Sequence, residues 1–390
     1  MNQHFKYYLF FLILLSQHFF SFNYLDTSAK FNYICVLVLF FYFFLYKRNK
    51  CVSSMHFKNE VCLLMLLPFV SSISAYLNYG QSCIDSFIVC IPCFYWLIYF
   101  ILHQINICKK ELIYIVLTVS LLMFTIQVYL QFNPSDTLFY DHEKMDVRNG
   151  IIRYNIGTNG IYSILIIFYY LCKNYEVKSV RNVVIVLLML VSVYLLLTRQ
   201  IIGAVCLTFV LANVSLFKKN IGTGLLAILV FFVIMLSSIG NMLFSALYDS
   251  VKEDVSDDNI RVLAFEYFWE KITENPLIMF LGTGTPHQDS ALGKYYEYLM
   301  MGLRFHTTDV GIIGHWYQYG IIHLIPMFSF VIKLLYKFRN TSASYVFFTC
   351  LCLCMNSILA CPVQSQGYWC FWAILLYIAD KEIEEKQQKK

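Results

Sequence analysis

Residues 182–219 read NVVIVLLMLVSVYLLL-TRQ-IIGAVCLTFVLANVSLF-KK, two uncharged apolar runs joined by Thr198-Arg199-Gln200 and closed by Lys218-Lys219. An apolar stretch of about 20 residues matches the thickness of a bilayer's hydrocarbon layer as a helix. Lipid offers no partner to a free backbone N–H or C=O, so such runs enter it only as helices. The pair therefore reads as a transmembrane hairpin with Arg199 at its tip.

The pattern repeats outward in both directions, at 7–22, 31–46, 61–77, 86–102, 112–131, 156–172, 221–242, 310–332, 345–363 and 367–379. The chain as a whole is 59% hydrophobic with mean hydropathy +0.61. These features exclude a water-soluble domain and predict an all-α, polytopic membrane protein with about twelve transmembrane helices in a single integral domain over 1–390. The first run follows Lys6 but has no small-x-small cleavage site after it, so it reads as a retained helix, not a removed leader.

Placing both ends in the cytoplasm puts Lys47-Arg48-Asn49-Lys50, Lys109-Lys110, Lys173 with Lys178 and Arg181, Lys218-Lys219, Lys333 with Lys337 and Arg339, and the Lys-rich tail in short inner connections. That is where positive charge belongs. Two outer loops remain that are too long for connectors: 132–155 and 243–309. In the second, Asp257-Asp258 can cap a helix from Asn259 to about Thr273, with Arg261, Phe265, Phe268 and Ile272 on a stripe suited to the membrane surface and Pro276 marking its stop. A Gly282-Thr283-Gly284 turn follows. The charged segment from Lys381 to Lys390 reads as a solvated end.

The outer face is rich in arginine: Arg148, Arg153, Arg199, Arg261 and Arg304 lie there, against only Arg48, Arg181 and Arg339 inside. A planar, permanently charged fork suits bidentate recognition of phosphate oxygens, although pairing with loop carboxylates or lipid headgroups would also use it. His287, His306 and His315 lie in or beside the large loop, and any of them titrates in the range of a general base. His306 stands between Arg304 and Asp309, and Asp309 equally suits a helix N-cap before Val310. Tyr295, Tyr296, Tyr298, Trp269, Trp316 and Tyr319 suit sugar stacking or an interfacial aromatic belt. Of the fourteen cysteines, the Cys90-Ile91-Pro92-Cys93 and Cys350, Cys352, Cys354 groups fall inside apolar spans and read as packing, with no metal assigned.

Four patches in order resemble the bacterial O-antigen and oligosaccharide repeat-unit polymerases (the Wzy type) and their relatives, the O-antigen ligases. They are Arg148-Asn149-Gly150 with Tyr154-Asn155 and Asn159-Gly160; Thr198-Arg199-Gln200 with Gly203-Ala204; Arg261 through Trp269 to Asn275-Pro276-Leu277 and Gly282-Thr283-Gly284; and Asp309-Val310-Gly311 through Gly320-Ile321-Ile322. Gln200 stands where the family usually has glycine, and Asp309 where ligases usually have histidine, which favours a polymerase. The resemblance implies glycosyl transfer on the outer face of the bacterial inner membrane between undecaprenyl-pyrophosphate-linked oligosaccharides, without cofactor, metal or nucleotide sugar. It places pyrophosphate on Arg199, Arg148 and Arg261, with Arg153 and Arg304 in support, and acceptor activation on His306 or Asp309. Membrane lipid, a chain-length regulator and a flippase are the expected partners, and nucleic acid is not. A ligase and a lipid-oligosaccharide flippase or transporter are the alternatives.

Overall fold

The structure is a computed structural model that describes residues 2–16, 28–45, 54–133, 145–148, 151–154, 160–196, 198–217, 260–339, 343–357 and 366–388. Its helices are α1 (Asn2–Ser16), α2 (Ser28–Leu45), α3 (Lys58–Tyr79), α4 (Cys83–Cys90), α5 (Leu97–Ile105), α6 (Lys109–Phe132), α7 (Gly160–Glu176), α8 (Val180–Leu195), α9 (Arg199–Phe217), α10 (Ile260–Glu274), α11 (Pro276–Leu281), α12 (Ala291–Glu297), α13 (Gly311–Phe338), α14 (Ser344–Asn356) and α15 (Gln366–Gln388). Ile91–Trp96, led by Pro92, is a tighter 3-10 segment that joins α4 to α5 in one rod.

Four helical stretches are long and apolar enough to cross a membrane: Lys58–Tyr79, Cys83–Ile105, Lys109–Phe132 and Thr307–Phe338. Each falls on an expected span. Five further apolar helices, at His4–Leu14, Tyr33–Phe44, Val180–Leu195, Gln200–Val214 and Ser344–Asn356, also fall on expected spans but are shorter than that requirement. The expected span at 221–242 and the Asp257-Asp258 cap lie outside the described residues. The fold is thus a helical membrane protein with four candidate spans among the described residues, against the twelve expected.

Among the described residues, one departure from an all-helical chain sits in the 132–155 loop. Met145–Arg148 (β1) pairs antiparallel with Ile151–Tyr154 (β2), with Asp146 opposite Arg153 and Arg148 opposite Ile151. The two residues between the strands are Asn149-Gly150, the dipeptide that most strongly favours a two-residue hairpin connection.

Among the described residues two apolar cores form. The larger runs through α1, α2, the first half of α3, α5 to α9, the second half of α13, α14 and α15, with Trp96, Trp372, Tyr99 and Tyr377 fully buried. The smaller joins Ala75 of α3 to Ala264, Phe268 and Ile272 of α10, Ile278 of α11, Leu292 and Tyr296 of α12, and Tyr317 of α13. The stripe expected to meet the membrane surface is therefore divided. Phe268 and Ile272 turn inward onto this second core, whereas Arg261, Phe265 and Trp269 stay exposed. α10 is apolar on both sides, and folding back onto α13 and the Thr307–Val310 turn gives one side a protein partner. Pro276 does not merely stop α10. It opens α11 at the first helical position, with Asn275 as N-cap accepting from Leu277 N at 2.9 Å and Ile278 N at 3.4 Å.

α3 and α13 run antiparallel along each other. Near the start of α3, Glu60 is paired with Lys333 and accepts from Ser329 Oγ at 2.9 Å; farther along, Ser71 Oγ donates to the Tyr319 carbonyl at 3.3 Å. The charged C-terminal segment is also ordered, contrary to the solvated end expected. α15 continues to Gln388, and Lys109 Nζ reaches Glu382 at 2.7 Å and Glu385 at 2.8 Å. Two residues before Glu382, the fully buried Asp380 accepts from Tyr99 OH at 2.5 Å and from the His56 N–H at 3.2 Å, and its Oδ2 lies 3.1 Å from His103 Nε2. Periodic carboxylates on a helix look solvated in sequence, yet they dock when another helix supplies the cation.

The joint between the two cores depends on glycine at one position above all. Gly320 has φ +76°, and a Cβ there would lie 2.1 Å from the Phe280 carbonyl oxygen. Gly320→Ala is expected to destabilise the folded chain by more than the about 1–3 kcal/mol of left-handed strain alone. Gly203→Ala, where nothing lies within 4 Å, should be neutral or stabilising by up to about 1 kcal/mol. Thermal unfolding of both variants in the same detergent checks the contrast.

Candidate functional site

The site is built around a break in α13. Gly320 is non-helical, with φ +76° and ψ 168°, and so interrupts the backbone ladder inside a candidate span. An unbroken helix would spend the Tyr317 and Gln318 carbonyls on residues 321 and 322. Here they accept from Thr283 N at 2.8 Å and Gly284 N at 2.9 Å. The Gly282-Thr283-Gly284 turn is thereby bonded into the break. Gly282, at φ +74°, passes so close that a Cβ would come within 2.4 Å of Gln318 backbone.

Gln81, buried in the short connection between α3 and α4, fixes the rest of this loop. Its amide nitrogen donates to Ser86 Oγ and to the Thr285 carbonyl, both at 2.9 Å, and its oxygen accepts from His287 N at 3.0 Å and Ser290 Oγ at 2.8 Å. All four amide positions are used, which ties two loops far apart in sequence into one body. His287 is engaged locally, its Nδ1 facing the Asp289 N–H at 3.4 Å.

A phenol cluster caps the second core. Tyr295 OH bonds Tyr267 OH at 2.6 Å and receives Tyr317 OH at 3.2 Å, and Tyr296 OH lies 2.7 Å from Thr283 Oγ1. Burial, followed by the bond to Tyr267, pushes the Tyr295 phenol up from its ordinary value. Of the aromatics considered for sugar stacking, Tyr296 and Tyr319 are buried, Trp316 is half-buried and donates to the Met279 carbonyl at 2.8 Å, and Tyr298 and Trp269 are exposed.

Four of the seven residues singled out in sequence lie on the rim of this body. Arg261 is exposed on α10, and Arg304, itself at φ +59°, His306 and Asp309 are exposed on the chain leading into α13. The Thr307–Val310 turn packs against α10, and between Arg304 and His306 the Phe305 ring sits 5.6 Å from that of Tyr267. Arg261 and the His306–Asp309 turn are thus held on adjoining elements. Asp309 does not cap α13: the residue preceding that helix is Val310, with no side-chain cap, and among the described residues Asp309 Oδ1 receives Thr308 Oγ1 at 3.4 Å. Arg148 and Arg153 sit on β1 and β2, and Arg199 opens α9; their side chains lie outside the described residues. The Arg199 turn does meet another of the patches, since a Cβ on Gly160 would lie 2.9 Å from Leu196 and 3.5 Å from Ile201.

The buried histidines of α13 carried little weight in the sequence. His315 and His323 are both fully enclosed, and His315 Nε2 lies 2.9 Å from His323 Nδ1. Eight residues of unbroken helix would separate them by about 12 Å along the axis. The break at Gly320 lets them meet, and the glycine between two histidines was the signal available. Cys90 and Cys93 are buried free thiols, in keeping with a packing role.

No protein-family model matches the chain, and no curated protein sequence matches it at a significant level.

Tyr295→Phe removes the hydroxyl shared by Tyr267 and Tyr317 and leaves both without that partner. It is expected to cost about 1–3 kcal/mol of stability. Tyr298→Phe, on an exposed ring, should cost nearly nothing, and thermal unfolding of the two variants side by side measures the difference.

Proposed function

We propose that this chain is an oligosaccharide repeat-unit polymerase of the bacterial inner membrane, with about twelve spans and both ends in the cytoplasm, acting on its outer face. The observation that supports it most is the pairing of the family-like patches. Gly282-Thr283-Gly284 bonds directly to Tyr317 and Gln318 of the closing helix, and Gly160 abuts the turn that carries Arg199. Four weak patches in the right order gain weight when those distant in sequence adjoin.

In this reading the donor is an undecaprenyl-pyrophosphate-linked chain. Its pyrophosphate is a good leaving group once its growing charge is held, and Arg199, Arg148 and Arg261, seconded by Arg153 and Arg304, hold it bidentately. His306 or Asp309 accepts the proton from the attacking sugar hydroxyl. Both are exposed on the turn packed against the helix of Arg261, so acid-base and anion-binding groups adjoin. The exposed apolar side of α10, with Phe265 stacked on Trp269 at 6.5 Å, would rest in the lipid surface from which a lipid-linked substrate arrives.

The transporter reading is favoured by a different observation. A discontinuous helix with buried ionisable groups at its break is also how many transporters build a site. Ligation to a lipid acceptor has no structural observation of its own.

Deleting the gene in its host and running the surface polysaccharide on a gel separates these. Collapse of a ladder to a single attached repeat unit, restored by wild type but not by Arg199→Ala or Arg199→Lys, is the expected outcome, with Arg199→Lys losing most activity because a point charge cannot replace the fork. Complete loss of attached saccharide would point to the flippase or ligase instead, and full activity of Arg199→Lys would remove Arg199 from the site.

A further inference from the structure

His315 Nε2 and His323 Nδ1 share one hydrogen bond of 2.9 Å, so one of the two nitrogens carries its proton and the other accepts it. With the proton on His315 Nε2, what remains is His315 Nδ1, a bare lone pair. Among the described residues it has no hydrogen-bond partner, and His315 is 0% exposed.

A buried acceptor left unsatisfied costs about 1–3 kcal/mol, so a pair serving packing alone would be better replaced by apolar rings. We propose that the His315–His323 pair is a proton-binding site, with His315 Nδ1 as the atom that takes up one proton from water or a hydroxyl donor. The step balances without any other reactant. A proton binds Nδ1; the Nε2–H proton of His315 crosses to His323 Nδ1; the charge is spread over two rings by one transfer along an existing hydrogen bond. The site lies five residues before and three after the Gly320 joint, so its charge state acts on the break to which the Gly282–Gly284 turn is bonded.

The groups that face the pair leave it free to play this role. α13 contributes Tyr319, its ring 4.9 Å from His315 and 5.0 Å from His323. The rod of α4 and its 3-10 extension contributes the thiols of Cys90 and Cys93, and the loop after Gly284 contributes the Thr285 hydroxyl, all of which interact with Tyr319. On α3, Glu60 is already committed to Lys333 and Ser329. None of these is a carboxylate poised to hold the pair permanently charged. The proposal does not rest on glycosyl transfer, since a transporter would use the same site.

The test is nitrogen-15 NMR of histidine-labelled full-length protein in lipid nanodiscs, from about pH 8 down to about pH 3, a range wide enough for rings buried in an apolar span. His315→Gln is the decisive variant, because its amide keeps a donor at the Nε2 position while removing the Nδ1 lone pair. Wild type is expected to show two neutral rings, both protonated at Nε2, that give way to one imidazolium per pair as pH falls. That signal should be absent from His315→Gln. In His323→Asn, which preserves an acceptor for His315, it should persist on one ring at lower pH, because the charge is no longer shared. Two rings that stay neutral until the protein unfolds, or an imidazolium that survives His315→Gln unchanged, would overturn the proposal.

Discussion

The structure depends on one constraint: a helix broken inside an apolar layer must have its backbone groups satisfied by protein, because lipid satisfies none. At Gly320 the satisfaction comes from Thr283 and Gly284, which belong to a loop that enters the helix bundle to supply two N–H groups. The loop can do so only because Gly282 and Gly320 carry no side chain where the two backbones meet. From this follow the position of α11 against α3 and α13, the docking of α10 and α12 as a second core, and the carriage of Arg261, Arg304, His306 and Asp309 on the rim of a rigid body and not on a free loop.

The polar groups are sorted by the same economy. At one end of the long helices, Glu60 takes Lys333, Lys109 takes Glu382 and Glu385, and Asp380 gathers three hydrogen bonds. Each buried carboxylate has partners on a different helix, so these contacts fix register between helices as well as balancing charge. At the other end the polar groups are amides and phenols, Gln81 and Tyr295 foremost, which hold loops without fixing charge. Charge is left for the exposed rim.

Much of the fold was legible in the sequence because apolar runs report helices directly, and the four long spans and α10 stand within a few residues of where periodicity put them. The hairpin at 145–154 was legible too, in Asn149-Gly150 between β-branched residues, but its shortness hid it among the charges of the loop. What could not be read was anything set by contact across distance. Phe268 and Phe265 look alike in sequence, and only the packing of α10 onto α13 decides that one is core and the other exposed. Glu382 looks solvated until Lys109 and Tyr345 are placed beside it. Gln81 sits in a connector of no evident interest and proves to hold four partners. Of the site, the rim residues were legible by chemical type, whereas the His315–His323 contact was not, since regular helix geometry forbids it.

That last case shows where sequence reasoning fails. Glycine inside an apolar span reads as a packing residue or a weak spot, and helical periodicity is projected straight through it. A break changes the projection. It brings residues eight apart into contact, exposes carbonyls that recruit a distant loop, and places ionisable rings where a continuous helix would have kept them apart. Gly320 between His315 and His323, with Gly282-Thr283-Gly284 upstream, contains all of that information, but only as a relation between two glycine positions. The functional geometry therefore lies in the joint, and the charged residues that attract attention in the sequence are carried by it.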